Sequence, residues 1–406
     1  MKEKALLIGI RRPGSTVSEM EASLSELIRL VDTSGGVVAG IAKQELKTIN
    51  PATFLGTGKV ENIKINIGDA QMIVVDDELT PAQNRNLSEA FGIKVLDRTA
   101  VILDIFARRA RTREGELQVE LAQLNYRASR LTGRGLSFSQ QAGYIGNRGP
   151  GETKLEVDRR RIRERISFLR GELKKVRMHR ELHRRKRENV PIPVVSLIGY
   201  TNSGKSTLMN ALTSANVLVE DKLFATLDPT VRRMRLKSGR IILVADTVGF
   251  IRKLPHQLVE SFRATFEEVE NSDLLVHVID ASDSMCARHV EVVDAVLGEL
   301  GLSDKPCLKV FNKCDCKNIY VKDGKDGVFI SASKKTGMDG LAKKLDDMLV
   351  IGFKHARLNL PHSNGAILSE IYRVGRVNFV KHGKQSIAVN AELPEKLVGR
   401  YKKYSI

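Results

Sequence analysis

No stretch of this sequence approaches the roughly 18 consecutive apolar residues of a membrane-spanning helix, so no transmembrane segment is expected. The opening MKEKALLIGI passes at once into a short apolar strand, too brief for an export signal, and no cleaved leader is expected. Cysteine is scarce. Cys286, Cys307, Cys314 and Cys316 form no C-x-x-C pair, which argues against a disulfide framework and for reduced thiols. No internal repeat is visible. Negative charge is in deficit: 48 Asp and Glu face 66 Lys and Arg, a formal net charge of +18. Such an excess speaks of partners rather than fold. It points to a polyanion, either nucleic acid or an anionic membrane surface. An evenly basic surface would also give this sign, but the charge is concentrated in one segment.

What is present divides the 406 residues by texture. The first hundred alternate strand and helix signals. ALLIGI, GGVVAGIAKQ, QMIVVDD and IKVLD read as strands. Ser18 to Val31 reads as an amphipathic helix through Leu24, Leu27, Ile28 and Val31. PAQNRNLSEAFG reads as a helix opened by proline and closed by glycine. This predicts a small α/β domain with a mostly parallel sheet over residues 1–105. GTGK at Gly56–Lys59 lacks the spacing of a phosphate loop and reads as a loop before a helix.

Residues 106–190 read as an antiparallel helical hairpin. Leu117, Leu121, Leu124, Ala128 and Leu131 recur at steps of four and three, and so do Ile162, Ile166, Leu169, Leu173 and Val176. Both are coiled-coil-like seams. A glycine-rich connector, TGRGLSFSQQAGYIGNRGPGETKLE, joins them. The second arm is strongly basic: 14 of the 30 residues from Asp158 to Arg187 are Lys or Arg. A charge run usually marks a solvated face. Here the density and the tip arginines favour a nucleic-acid-binding arm, and the apolar seam argues for a folded hairpin. The candidate RNA contacts are Arg134, Asn147 and Arg148 in the tip and Arg159, Arg160 and Arg163 on the second arm.

ENVPIP breaks that helix. A nucleotide domain is expected over 192–350, with a doubly wound sheet, and a short α+β domain over 351–406. VVSLIGYTNSGKSTLMNAL is strand, loop and helix, with G-x-x-x-x-G-K-S from Gly199 to Ser206. The glycines let backbone N–H groups wrap phosphates at the start of a helix. Lys205 would reach the β- and γ-phosphates, and the Ser206 hydroxyl would ligate Mg²⁺. VFNKCD places Asn312, Lys313, Cys314 and Asp315 at a strand end. The Asp315 carboxylate can accept from the guanine ring N–H and amino group, which adenine does not offer there. Pairing of this kind supports about 10⁴–10⁵-fold discrimination. Ser331, Ala332 and Ser333 follow the next strand, and the Ala332 N–H is placed to donate to the guanine carbonyl. Asp246 would hold Mg²⁺ through water, and the Gly249 N–H would meet the γ-phosphate. LFATLDPT offers Thr226 and Thr230 as the residue that closes over the metal, and spacing leaves the choice open.

These motifs together resemble the HflX family, GTPases of the Obg–HflX group, over nearly the whole chain. GYTNSGKSTLMNALT, FATLDPT, DTVGFIRKLPHQLVESFRATFEE, NKCD and SAS resemble its nucleotide motifs. NRGPGETKLEVDRRRIRERI resembles its helical signature, and FLGTGKV with LDRTAVILDIFARRARTREGELQVELAQL its N-terminal domain. The resemblance implies a GTPase that binds the large ribosomal subunit and its rRNA and splits stalled or idle ribosomes, its hairpin tip reaching toward the peptidyl-transferase region. It carries the metal role to Ser206 and Thr226, and catalytic roles to Lys205, Thr226 and Gly249. GTP or GDP contacts carry over to Gly199, Tyr200, Thr201, Asn202, Ser203, Gly204, Lys205, Ser206 and Thr207. Phe224, Ala225, Thr226, Leu227 and Asp228 join them, as do Asp246, Thr247, Val248 and Gly249, then Asn312 to Asp315 and Ser331 to Ser333. A cytoplasmic monomer is expected, with peripheral membrane association left open. The alternatives are a large-subunit assembly GTPase and a GTP-controlled RNA-binding switch without splitting activity.

One more residue type is missing. Many GTPases place a water-orienting glutamine after the D-x-x-G glycine, and here Phe250 stands there. An apolar residue at that point resembles this GTPase group. Slow hydrolysis by the isolated protein is expected, with the missing electrostatics supplied by the ribosome. Asn202 resembles the asparagine of GTPases that place K⁺ where an arginine finger would reach, so K⁺ is a second candidate cofactor.

Overall fold

The computed structural model describes residues 2–131, 154–187, 192–213, 223–253, 255, 266–321, 327–349 and 353–406. They fall into two compact units. The first is Met1–Met178 with Lys222–Leu227 and Arg252–Arg263. The second is His179–Asp221, Asp228–Ile251 and Ala264–Ile406.

In the first unit the elements run β1 (Lys4–Arg11), α1 (Val17–Thr33), β2 (Val37–Glu45), α2 (Thr57–Ile65), β3 (Met72–Val75), α3 (Pro81–Phe91), β4 (Lys94–Asp97), α4 (Arg98–Arg109) and α5 (Arg113–Leu131). The strands form one parallel sheet in the order β2-β1-β3-β4. The fully apolar strand β3 is buried throughout, as a strand covered on both faces must be. Capping chemistry sets the helix starts. Thr16 and Glu19 form a capping box on α1, and Thr80 and Gln83 form one on α3. Pro81 opens α3, and Gly92 closes it at φ 69°, a left-handed position that glycine adopts without strain. Only Gly56 of GTGK lies before α2, as its N-cap, and Thr57, Gly58 and Lys59 form the helix's first turn, so the segment read as a loop before a helix is the start of the helix itself. Helix α4 runs across the expected boundary at residue 105.

The helix α6 (Lys154–Arg187) begins in this unit. Leu117, Leu121 and Leu124 of α5 pack on Ile166, Leu169 and Leu173 of α6, where the two heptad-like seams were expected to meet. Arg165 donates to Glu120, at 2.7 Å from Nε, and Arg159 Nη2 donates to the Leu131 carbonyl at 2.9 Å. Residue numbers rise on one helix as they fall on the other, so the pair is antiparallel. Arg134, Asn147 and Arg148 lie outside the described residues.

Two short segments from the nucleotide motifs belong to this unit as well. Phe224, at φ 55° and buried, sets its ring edge-on to Phe106 of α4 with centroids 4.6 Å apart. Lys253 Nζ lies 3.1 Å from Asp76 and 3.3 Å from Asp77. Asp76 also holds Arg98 Nη1 at 2.7 Å, and that buried guanidinium is paired on its other side with Glu26.

The second unit continues with β5 (Val194–Ile198), α7 (Lys205–Thr213), β6 (Thr230–Arg235), β7 (Ile241–Asp246), α8 (Glu267–Glu270), β8 (Leu274–Asp280), α9 (Cys286–Glu299), β9 (Cys307–Asn312), β10 (Val328–Phe329) and α10 (Met338–Met348). The sheet order is β10-β9-β8-β5-β7-β6, parallel except for the β6–β7 hairpin. Its core is Val195, Leu197, Val244, Val276, Val278 and Val310 with Leu208 and Met209 of α7. The chain then forms β11 (Phe353–Pro361), α11 (Gly365–Val374), β12 (Arg376–His382), β13 (Ser386–Pro394) and α12 (Glu395–Arg400). Those strands make an antiparallel sheet, β11-β13-β12.

Candidate guanine-nucleotide site

The strand order reverses at β5, which lies between β8 and β7. Open α/β sheets bind ligands at that switch point, beyond the strand carboxyl ends. The motif residues of the second unit gather there: Gly199 after β5, Asp246 ending β7, Asn312 ending β9 and Ser331 just past β10.

The phosphate loop is built around two glycines that tolerate no side chain. A Cβ on Gly199 would fall 2.3 Å from the Val278 carbonyl oxygen, and one on Gly204 2.2 Å from Asn312 Nδ2. Asn202 sits at φ 61°, in the left-handed region that asparagine reaches most easily after glycine. Lys205 Nζ donates to the carbonyls of Gly199 at 3.1 Å and Tyr200 at 2.9 Å. Burial lowers its pKa to about 8, opposed by the Asp246 charge. It is a cation held inside the loop, and an anion bound beside it would raise that pKa again.

The Ser206 hydroxyl donates to Asp246 Oδ2 at 2.7 Å. A hydroxyl and a carboxylate side by side are hard oxygen donors, the set that suits Mg²⁺. Among the described residues there is no group of three or more His, Cys, Asp or Glu that could hold a metal ion. Thr247 donates to the Leu197 carbonyl at 2.6 Å and so pins the D-x-x-G turn to β5. A Cβ on Gly249 would lie 2.9 Å from Lys205 Nζ, so this turn approaches the phosphate loop closely. Phe250 reinforces the approach. Its N–H donates to the Gly199 carbonyl at 3.0 Å, and its carbonyl accepts from the Thr201 N–H at 2.7 Å. The ring is 1% exposed and stacks on Phe266 with centroids 5.6 Å apart. Phe250 therefore works as a core anchor for the turn, and its side chain has no polar atom to align a water.

On the base side, Asn312 Nδ2 donates to the Ser203 carbonyl at 2.9 Å, and Asn312 Oδ1 accepts from the Ala332 N–H at 3.0 Å. The Ala332 N–H is thus engaged within the protein, and a guanine carbonyl would share it as a three-centre bond. The Ser331 hydroxyl beside Asp315 holds that carboxyl below its ordinary range. Lys313, at φ 65°, pairs with Asp280 at 2.7 Å. Phe224, Ala225, Thr226 and Leu227 belong to the first unit, while Asp228 and the remaining motif residues belong to the second.

Three family models match the chain in order. They are described as GTP-binding GTPase N-terminal over residues 21–107, GTP-binding GTPase Middle Region over 109–187, and 50S ribosome-binding GTPase over 194–313. A protein named GTPase HflX from Caldanaerobacter subterraneus subsp. tengcongensis is 45% identical over 407 residues, covering 100% of this chain and 94% of that one. The chain belongs to the HflX GTPase family. It is a GTP-hydrolysing enzyme that binds guanine nucleotides. The HflX GTPase of Escherichia coli is 41% identical over 360 residues, covering 86% of this chain and 84% of that one. Among solved structures, a GTP-binding protein from Sulfolobus solfataricus in complex with GDP has 26% identity and a TM-score of 0.44, covering 86% of this chain and 98% of that one.

Within this HflX chain some partners of the motif residues were not visible in the motifs. Tyr200 of the phosphate loop stacks on His289 of α9, centroids 3.8 Å apart and planes 12° apart. His277 of β8 is buried, and burial lowers its pKa to about 3, so it stays neutral beneath the loop. Arg159 reaches the partner helix of the hairpin, whereas Arg160 and Arg163 stay exposed. Of the expected RNA contacts on the second arm, those two present their side chains outward. No described helix is long and apolar enough to cross a membrane.

Proposed function

We propose that this HflX GTPase is a cytoplasmic, monomeric translation factor that binds the large ribosomal subunit through rRNA and splits stalled or idle ribosomes. The observation that carries the proposal is one chain holding both a guanine site with interlocked motifs and an antiparallel hairpin whose long arm is densely basic. A polyelectrolyte partner fits that arm, because each neutralised phosphate releases counterions. The domain frame is 1–105, 106–190, 192–350 and 351–406, with the hairpin as the wedge.

In the site, Gly199 to Thr207 wrap the phosphates and Lys205 meets their charge. Ser206 and Thr226 would ligate Mg²⁺, with Asp246 holding it through water, and the Gly249 N–H would meet the γ-phosphate. Asn312, Asp315 and Ser331 to Ser333 frame the base. When bound there, the metal would neutralise the charge that develops on the transferring phosphate. Phe250 lies in the core, so the water-aligning group comes from elsewhere and hydrolysis by the protein alone is slow. An added cation of the arginine-finger kind is worth about 10³–10⁵ in rate. The ribosome would fill that role, and K⁺ held near Asn202 would be a second source of the charge. Equal rates in KCl and NaCl would remove K⁺ from the mechanism.

The deciding experiment is steady-state GTP hydrolysis, alone and with purified large subunits or whole ribosomes, while light scattering reports subunit separation. Strong stimulation with loss of scattering is expected. Stimulation without separation would replace splitting by assembly or sensing. No stimulation would remove the ribosome as partner.

A further inference from the structure

The last 54 residues, 353–406, carry ten Lys or Arg against three Glu and no Asp. Their sheet has one closed face. Ala356, Leu358 and Leu360 of β11 and Ile387, Val389, Ala391 and Leu393 of β13 are buried with Ile371 and Val374 of α11. Alternation sends the intervening residues to the opposite face. Register then sets them in rows. Arg357 lies opposite Asn390, which lies opposite Phe379, and Asn359 lies opposite Ala388, which lies opposite Lys381.

One end of this open face is occupied. Arg240 lies over the Phe353 ring at 4.3 Å, and Glu392 lies 3.7 Å from His355. Beyond it the two rows are open: Arg357, Asn359 and Lys381 are exposed, and Phe379 is 56% exposed. A register shift between Val377 and Phe379 marks a bulge beside the ring, a device that re-aims side chains. A lone exposed phenylalanine needs no explanation. This one stands in register with an arginine and an asparagine, next to a lysine, on a sheet with a large basic excess.

We propose that this face binds single-stranded RNA. Phe379 stacks on a base, Arg357 and Lys381 meet flanking phosphates, and Asn390 offers an amide to a base edge. Aromatic residues on an open sheet are a recurrent way to hold unpaired bases, and stacking tolerates any base. Charge complementarity calls for an anionic partner, and among anions the exposed Phe379 ring favours RNA, whose unpaired bases offer it a stacking face. The site is separate from the basic hairpin and does not rest on the ribosome-splitting reading.

The test uses the full chain and a short oligouridylate carrying 4-thiouridine. Binding is read by fluorescence anisotropy, and cross-links are mapped by peptide mass spectrometry. A cross-link is expected in the peptide that contains Phe379. F379A should weaken binding about fivefold or more, F379Y should retain it, and the R357A/K381A pair should lose the cross-link and flatten the salt dependence. All of these sites are exposed, so melting temperature and GTP binding should stay unchanged. The proposal is overturned if cross-links map only to other parts of the chain, or if F379A binds as the wild type does. A face that serves a protein partner would give that second set of results.

Discussion

The side chain of Asn312 donates to the carbonyl of Ser203 at 2.9 Å, joining the guanine motif to the phosphate loop across the sheet. The same side chain accepts from the Ala332 N–H, so one amide holds three motifs together. Asn312→Ala leaves two buried backbone groups unpaired, at a cost of about 1–3 kcal/mol each. A lower melting temperature and weaker GDP binding are expected. Gly204→Ala should act through the same amide, because its Cβ would strike Asn312 Nδ2 and its φ of 93° strains any L side chain. Calorimetric binding of GDP checks both, and wild-type affinity in either would break the link.

Asp315→Asn exchanges an acceptor pair for one acceptor and one donor, facing two guanine donors. Discrimination against other purines should fall, by up to about 10⁴-fold. The Ser331 hydroxyl keeps the wild-type carboxyl below its ordinary range, so guanine preference should be flat from neutral pH down to the mid-acid range. Competition of GTP against XTP and ATP measures this. An unchanged GTP affinity in the variant would sink the base-recognition role.

Lys205 makes nucleotide binding a protonation event. Its pKa without ligand is lowered from 10.5 to about 8 by burial, and a phosphate chain beside it restores the charge. Between pH 8 and the ordinary lysine value, binding should take up a fraction of a proton. Near pH 6.5 the amine is already charged, and uptake through it should vanish. Titration calorimetry in buffers of different ionisation enthalpy reads the difference.

Lys253→Met should destabilise the protein in a pH-dependent way. Burial raises the Asp77 pKa above its ordinary 3.8, while Lys253 and Arg12 pull it down. Removing Lys253 raises it further. A raised carboxylate contributes its stability in full below the ordinary value and loses it as pH rises through the folded value. The variant also loses the Lys253–Asp76 contact, so it should trail wild type least near pH 4 and fall behind by about a further 1–2 kcal/mol at pH 7, allowing for the partial exposure of the lysine. Melting curves across that range decide it. A constant offset at all pH values would mean the pair is not coupled to Asp77.

Chemistry carried by neighbours in the chain was legible from composition and spacing. The phosphate loop, the proline start and glycine stop of α3 at Pro81 and Gly92 and the two leucine seams depend on residues a few positions apart, where backbone geometry admits few outcomes. Pairings between distant residues were not legible. Nothing local says that Ala332 is engaged by Asn312, that Phe250 is a buried anchor stacked on Phe266, or that Lys253 meets Asp76 and Asp77. Those partners lie from 16 to 177 residues apart, and many side chains could have filled the same space. Sheet order and packing choose among them, because burying a charge, an amide or a ring is tolerable only where a matching group has been brought alongside.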